Sequence, residues 1–187
     1  MIKVLFVCHG NICRSPMAEF LFKDYVAKNG KSTEFYIESC ATSTEEIGNS
    51  VHYGTRRILG NLGIDCSNKR ARQIKQDDFE KFDYIIAMDL NNLRWLRGYK
   101  GYEKVKLLLE YAGLNRSIAD PWYTGDFNET YDDIMKGLKA FYKYLEKENL
   151  PNKIMLREEL EDKETIQIWL TEKAGRKVEL VSPKKGE

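Results

Sequence analysis

The chain opens on an almost unbroken apolar run, Ile2 with Val4-Leu5-Phe6-Val7. A short run without alternation reads as a strand buried on both faces. The period then changes. Met17, Phe20, Leu21 and Val26 fall on one side of a helix. Phe35-Tyr36-Ile37-Glu38-Ser39 reads as a second strand, Asp83-Tyr84-Ile85-Ile86-Ala87-Met88 as a third, and Val105 to Leu109 as a fourth. Helical patterns cover Val51 to Leu62, closed by Gly63, and begin again at Asn91, running to Leu96. Tyr131, Ile134, Leu138, Phe141 and Leu145 trace one face of a longer helix. Strands alternating with helices predict an α/β fold: a doubly wound, three-layer parallel sheet with helices on both faces. Such sheets bind ligands beyond the carboxyl ends of their strands. The residues just after the first strand are therefore the place to look for chemistry.

Cys8-His9-Gly10-Asn11-Ile12-Cys13-Arg14-Ser15 stands there, followed by Pro16. A cysteine and an arginine enclose a tight loop between a strand and a helix start. That arrangement suits a phosphate anion, because the first amides of a helix have no partner within it and point outward. Backbone amides, the helix dipole and Arg14 would together favour the Cys8 thiolate, the form that attacks. Arg14 can grip two phosphoryl oxygens with its planar fork. Gly10 lets backbone approach an oxyanion closely. Asn11 tolerates left-handed geometry and can brace the loop. Ser15 can donate to the Cys8 sulfur or cap the helix. Pro16 suits the first helical position, where no N–H is needed. His9, Ile12 and Cys13 complete the predicted substrate cradle. The glycine pattern of a dinucleotide site is missing, as is the Gly-Lys-Ser/Thr ending of a nucleotide loop.

Asp120-Pro121-Trp122-Tyr123 is the second element. An oxygen leaving a phosphate ester needs a proton, which a carboxylic acid can supply; the carboxylate can then activate water. Pro121 pushes Asp120 toward extended geometry, predicting a loop position. Trp122 and Tyr123 offer flat walls to an aromatic leaving group. An Asp-Pro pair alone is only a turn signal; its weight comes from the cysteine loop.

On these residues the chain resembles the low-molecular-weight protein tyrosine phosphatases, from about Ile2 to Glu148. The run Val7 to Glu19 is nearly that family's signature, and Asp120-Pro121-Trp122-Tyr123 matches its acid loop. Ser39 with Thr42-Ser43, and Ala71-Arg72-Gln73 before Phe79, Asp83 and Tyr84, also look like family landmarks. The resemblance implies a four-stranded sheet in the order 2-1-3-4. It implies Cys8 as nucleophile, Arg14 as anion grip and Asp120 as acid and then base, through a cysteinyl-phosphate. It implies no metal and no organic cofactor. The implied partner is a phosphotyrosine protein, by analogy a bacterial tyrosine kinase, and the chain itself is expected to be a monomer. The family often pairs its two loop cysteines reversibly, which here would be Cys8 and Cys13.

Composition leaves this reading undisturbed. A length of 187 residues suits one domain with an appendage, and a net charge of +1 gives no overall field toward nucleic acid or membrane. Lys69-Arg70 with Arg72 is a local basic cluster, either a solvated face or a rim attracting anionic peptides. No apolar run approaches the roughly 18–20 residues that span a bilayer. Met1 leads directly into a strand with no signal peptide, so a cytoplasmic location is expected. Cys8, Cys13, Cys40 and Cys66 have no zinc-like spacing. Cys40, beside the second strand, reads as an inert buried thiol; Cys66 falls on a polar connection. His52 reads as solvated at a helix start, and neither it nor His9 as a metal ligand.

Three features depart from the family or extend it. Lys69 stands where many bacterial members carry a histidine bracing the loop Asn, so loop support either loosens or passes to another group. Glu45 occupies a cleft-wall position that is often aromatic or apolar, which should repel acidic peptides. Relatives in the fold hydrolyse phosphoarginine and tend to carry Thr where Ile12 stands. Ile12 should crowd a guanidinium and suit an aromatic ring, which favours phosphotyrosine and leaves an arginine phosphatase as the alternative. Arsenate reduction would need a pair of relay cysteines that Cys66 does not provide. A binding-only adaptor is a further alternative from another class.

The expected domain division is 1–149 for the phosphatase-like part and 150–187 for an extension. Leu150-Pro151 should break the long helix, and the remainder reads as strand, helix, strand. The tail, with Leu150-Pro151, Ile154, Gly175-Arg176-Lys177-Val178 and the pattern Pro183 to Glu187, faintly resembles a segment of the bacterial excision-repair endonuclease, just before the catalytic nuclease domain of that protein. It carries no catalytic motif of its own.

Overall fold

The computed structural model describes residues 1–182; the tail pattern over Pro183 to Glu187 lies outside the described residues. The main sheet holds four parallel strands, β1 (Ile2–Cys8), β2 (Phe35–Ala41), β3 (Tyr84–Ala87) and β4 (Val105–Leu107). Their order is β2-β1-β3-β4, as the resemblance implied. β1 is covered by strands on both edges and layers on both faces, so Val4, Leu5, Phe6 and Val7 are fully buried. Alternate residues of β1 serve opposite layers. Phe6 meets the ring of Phe22 edge-on at 5.9 Å, on α1 (Arg14–Lys28). Leu5 and Val7 join a cluster with Phe79 of α3 (Asp78–Lys81), Phe82 and Leu96 of α4 (Leu90–Leu96). Each such side chain contributes roughly 1.5–3 kcal/mol by leaving water. In chain order α2 (Tyr53–Asn61) falls between β2 and α3, and α5 (Pro121–Thr124) and α6 (Phe127–Glu148) follow β4.

Element boundaries differ from the sequence pattern for local reasons. β2 runs on to Ala41, which places Cys40 inside the strand. β3 lacks Asp83 and Met88 at its ends. β4 stops at Leu107, and Leu108–Ala112 forms a 3₁₀ helix. Leu108 and Leu109 are both fully buried. A strand would have sent them to opposite faces, whereas the tight turn points both inward. α2 starts at Tyr53 because His52 caps it, its Nδ1 accepting from Gly54 N at 3.1 Å. α4 starts at Leu90 because Asp89 and Asn92 exchange hydrogen bonds across its first turn. α1 starts at Arg14, so Pro16 is third rather than first; it still falls in the turn whose amides lack helical partners.

Gly137 of α6 lets that helix approach Leu108 closely: a Cβ there would stand 2.5 Å from Leu108 Cγ. Gly137→Ala is expected to destabilise by about 1–3 kcal/mol through overpacking, more than the gain of up to ~1 kcal/mol in helix propensity. The measurement is the urea midpoint, which should fall with an unchanged slope. An unchanged midpoint would mean that Leu108 simply swings away.

Two compact units divide the chain, residues 1–140 and 141–187. In the second, α6 ends at Glu148, ahead of Pro151. β5 (Lys153–Met155), α7 (Lys163–Ala174) and β6 (Glu179–Val181) follow, and the two strands pair in parallel. This is the predicted strand-helix-strand, closed by a small core of Leu170, Ala174, Val178 and Leu180. The Arg176 guanidinium donates to the carbonyls of Lys147, Glu148 and Leu150, satisfying the end of α6. No helix among the described residues is long and apolar enough to cross a membrane.

Candidate active site

β1 delivers Cys8 to the carboxyl edge of the sheet, level with Ala41 of β2. The chain then loops through residues 9–13 into α1. Neighbouring segments bind the carbonyls of this loop from outside. Thr42 N and Ser43 N donate to Cys8 O and His9 O at 2.9 and 3.0 Å. His52 N donates to Ile12 O at 2.8 Å, and Thr55 Oγ1 to Cys13 O at 3.0 Å. With the carbonyls held outward, the loop amides and the start of α1 are left to face an anion.

Asn11 has a φ of 58°, and among the described residues no other side-chain-bearing residue has a positive φ. That conformation costs roughly 1–2 kcal/mol, and its side chain offsets it. Asn11 Nδ2 donates to Ser15 Oγ at 2.8 Å and Ser39 Oγ at 2.9 Å, and Asn11 Oδ1 accepts from Arg72 N at 3.2 Å. Ser15 Oγ lies 3.0 Å from Cys8 Sγ. Of the two roles foreseen for Ser15, the structure shows the thiol contact; no side chain caps α1. Asn11 and Ser15 thus sit behind the loop, nearly without exposed surface, as its scaffold.

The scaffold continues inward to a buried carboxylate that sequence reasoning missed. Ser39 Oγ donates to Glu19 Oε2 at 2.5 Å, and Lys69 Nζ reaches Glu19 at 2.9 Å and Ser39 O at 2.8 Å. Lys69 therefore supports the loop itself, through Glu19 and Ser39. It is not part of a free basic rim. Arg72 is equally committed, to Asp78 at 2.9 Å and Glu38 at 2.8 Å. Burial works against the Glu38 charge, but hydrogen bonds from Tyr36, Arg72 and Lys81 outweigh it and hold that carboxyl down at about 2.

Arg14 is the most constrained group of the site. Its side chain is 2% exposed. Nη1 donates to Asp89 Oδ2 at 2.6 Å and to Ile118 O at 2.9 Å, and Nη2 to Asp120 Oδ2 at 3.1 Å. Burial would weaken its charge, yet Cys8, Asp120 and Asp89 raise its affinity for the proton further. Asp89 is a site residue that sequence reasoning missed. Its signal is the helix-start pattern Asp89-Leu90-Asn91-Asn92. The Cys13 thiol is pushed up to about 12, by burial first and then by Cys8 and Asp120. It stays protonated at neutral pH, which makes it no rival nucleophile.

Asp120 is extended, as Pro121 requires, but it heads a short helix rather than a plain loop. Its Oδ1 accepts from Trp122 N at 3.1 Å. Cys8, Arg14 and Asp120 line one pocket of about 120 Å³. His9, Gly10, Ile12, Cys13, Trp122 and Tyr123 line it too, with Glu45 and the unforeseen Glu46. Glu45 Oε2 meets His9 Nε2 at 3.0 Å. His52 is half-buried rather than solvated: its ring stacks on Phe127 at 5.0 Å and meets Trp122 edge-on at 5.7 Å. Burial and then Arg56 lower its affinity for the proton. Cys66 is buried as well, which raises its thiol pKa. All four cysteines are free. Among the described residues no cluster of three or more His, Cys, Asp or Glu is placed to hold a metal ion.

A thiol aimed into an anion cradle, a buried guanidinium and a carboxyl at the rim can attack, hold and protonate a phosphate ester. Known proteins with this architecture agree. A family model described as "Low molecular weight phosphotyrosine protein phosphatase" matches residues 3–151. A second, described as "UvrC Ribonuclease H-like domain", matches residues 124–187. The low molecular weight protein-tyrosine-phosphatase YfkJ of Bacillus subtilis is 42% identical over 153 residues, 79% of this chain and 98% of that protein. Its crystal structure superposes with a TM-score of 0.76, covering 80% of this chain and 97% of that one. The low molecular weight protein tyrosine phosphatase of Streptococcus pyogenes gives 0.70 at 44% identity, covering 78% and 93%. The Drosophila arginine phosphatase gives 0.69 at 32% identity, covering 77% and 98%. The chain belongs to the low molecular weight phosphotyrosine protein phosphatase family.

Proposed function

We propose that Cys8, Arg14 and Asp120 hydrolyse phosphotyrosine in proteins by two displacements, with this chemistry confined to residues 1–149. The observation that carries the reading is the convergence of the three groups on one pocket, with Arg14 and Asp120 3.1 Å apart. In the first step Cys8 Sγ forms a bond to phosphorus as the phosphorus–oxygen bond to tyrosine breaks. Asp120, in its acid form, gives its proton to the leaving oxygen. In the second step water attacks phosphorus, its proton passes to Asp120, and the sulfur–phosphorus bond breaks to release phosphate and Cys8 thiolate. Arg14 and the loop amides hold the phosphoryl oxygens throughout. Trp122 and Tyr123, both exposed at the mouth, flank the leaving ring. An autophosphorylated tyrosine kinase fits as a substrate, and four free thiols fit a reducing, cytoplasmic setting.

Phosphoarginine is the second reading, favoured by the likeness to the Drosophila arginine phosphatase. Ile12 weighs against it, since its apolar side chain lines the pocket where a guanidinium would need polar partners. The test is the ratio of kcat/KM for matched phosphotyrosine and phosphoarginine peptides, with chelator present. The wild-type protein is expected to prefer phosphotyrosine, and Ile12→Thr to shift the ratio toward phosphoarginine by roughly tenfold. A wild-type preference for phosphoarginine would overturn the substrate assignment. An unmoved ratio in Ile12→Thr would remove Ile12 as its cause. A binding-only role has no observation in its favour, since binding alone needs neither Cys8 nor Asp120.

A further inference from the structure

The catalytic pocket adjoins a second, larger groove of about 590 Å³, and the two share His9, Arg14, Asp120 and Tyr123. The far wall of the groove is the first turns of α4, through Leu90, Asn91, Arg94 and Trp95. Positions 90, 91, 94 and 95 lie on one helical face. Leu90 is 53% exposed and Trp95 64%, two large apolar side chains held in water next to an active site. Arg94 donates to the neutral side chain of Asn91 at 3.3 Å, and among the described residues it ion-pairs with no carboxylate. The two carboxylates that line the groove, Asp89 and Asp120, are both engaged by Arg14, at 2.6 and 3.1 Å. The groove therefore presents one uncommitted cation beside an indole and an aliphatic side chain.

The catalytic pocket also carries charge of the opposite sign. Glu45 and Glu46 line it. Glu45 faces the partly exposed His9, and Glu46 accepts from Asn49 at 2.5 Å. A peptide held by its phosphotyrosine thus meets negative charge at the pocket and Arg94 in the groove, since Glu45 and Glu46 do not line the groove and Arg94 does not line the pocket.

We propose that the α4 groove is a specificity subsite. It takes the substrate segment on one side of the phosphotyrosine, with an acidic residue on Arg94 and an apolar or aromatic residue on Trp95 and Leu90. This deepens the phosphotyrosine reading above and rests on it. An extended chain advances about 3.3–3.6 Å per residue, so the selected positions lie within about three of the phosphotyrosine. Glu45 and Glu46, which line the pocket and not the groove, sharpen the choice, because an acidic residue lying against them instead of in the groove would be repelled. One exposed ion pair corresponds to about a 1.4- to 5-fold effect, and an aromatic contact to about 2- to 12-fold. Together they predict a preference of roughly tenfold.

The test uses the full chain and four substrates: para-nitrophenyl phosphate, a phosphotyrosine peptide with neutral flanks, and two peptides carrying a Glu–Phe pair on the N-terminal or the C-terminal side. The readout is kcat/KM for each peptide divided by that for para-nitrophenyl phosphate. One of the two acidic peptides is expected to exceed the neutral one by about fivefold or more, and the advantage to shrink with added salt. In an Arg94→Ala, Trp95→Ala double variant the advantage should vanish, and in Arg94→Lys most of it should persist. Equal ratios for all peptides, or an advantage that survives in the double variant, would overturn the subsite while the aryl phosphate activity upheld the phosphatase reading. A wild-type protein that hydrolyses none of the four substrates would overturn that reading and the subsite with it.

Discussion

Cys8→Ser is expected to abolish turnover of aryl phosphates, a loss on the order of 10⁴-fold or more. A serine hydroxyl placed in the same cradle remains protonated at neutral pH and is a poor nucleophile toward phosphorus. The cradle itself should survive. The carbonyls of the loop are held from outside by Thr42, Ser43, His52 and Thr55, through hydrogen bonds that do not involve the sulfur. Arg14 keeps its hold on Asp89 and Asp120. Cys8→Ser should therefore still bind phosphate or vanadate, measured by calorimetry, while releasing no nitrophenol. Turnover within tenfold of wild type would show that another group attacks phosphorus. Cys13 is a weak candidate, because its thiol sits at about 12.

Asp120→Ala is expected to lower kcat by about 10²–10⁴-fold. The loss in kcat/KM, which reports the first step alone, should depend on the leaving group: small for para-nitrophenolate, which departs without help, and large for phenol or tyrosine. The loss in the second step, where Asp120 activates water, is common to all substrates. Asp120 also caps α5 through Trp122 N and pairs with Arg14, so an alanine removes three things at once. Loss of the cap alone costs about 1 kcal/mol. Asp120→Asn separates them, since asparagine caps a helix as well as aspartate does and has no proton to give. Equal losses in the two variants, each graded by leaving-group pKa, would assign the effect to proton transfer. An Asn variant with nearly full activity toward phenyl phosphate would reassign Asp120 to a structural role.

The parts of this molecule written in contiguous residues are legible directly. The buried run Val4 to Val7, the Cys8 to Arg14 loop and the Asp120-Pro121 turn each need only local neighbours to make their point. The parts that depend on pairing across the sheet are not. Asp89 reads as an ordinary helix cap until the fold brings Arg14 to it across 75 positions. Glu19 stands in the sequence only as the end of the signature run, and its burial shows when Ser39 and Lys69, far along the chain, close over it. Lys69 and Arg72 look like a free basic cluster because Glu19, which pairs with Lys69, and Glu38, which pairs with Arg72, are distant in sequence. The apolar pattern makes β4 two residues too long, since Leu108 and Leu109 are equally apolar and only the tight turn explains how both become buried. His52 looks solvated because Phe127, the ring it stacks on, is far along the chain.

Asp89 divides its two oxygens: Oδ1 caps the first turn of α4 through Asn92 N at 2.7 Å, and Oδ2 holds Arg14 at 2.6 Å. One carboxylate thus belongs to two equilibria, the fraying of a helix and the ordering of an anion-binding guanidinium. Thermodynamic linkage makes their coupling reciprocal. Whatever closure of the α4 end adds to or takes from phosphate binding, bound phosphate adds to or takes from that closure in the same amount. Filling the catalytic pocket and seating the face of α4 that carries Arg94 and Trp95 are therefore coupled through this one side chain.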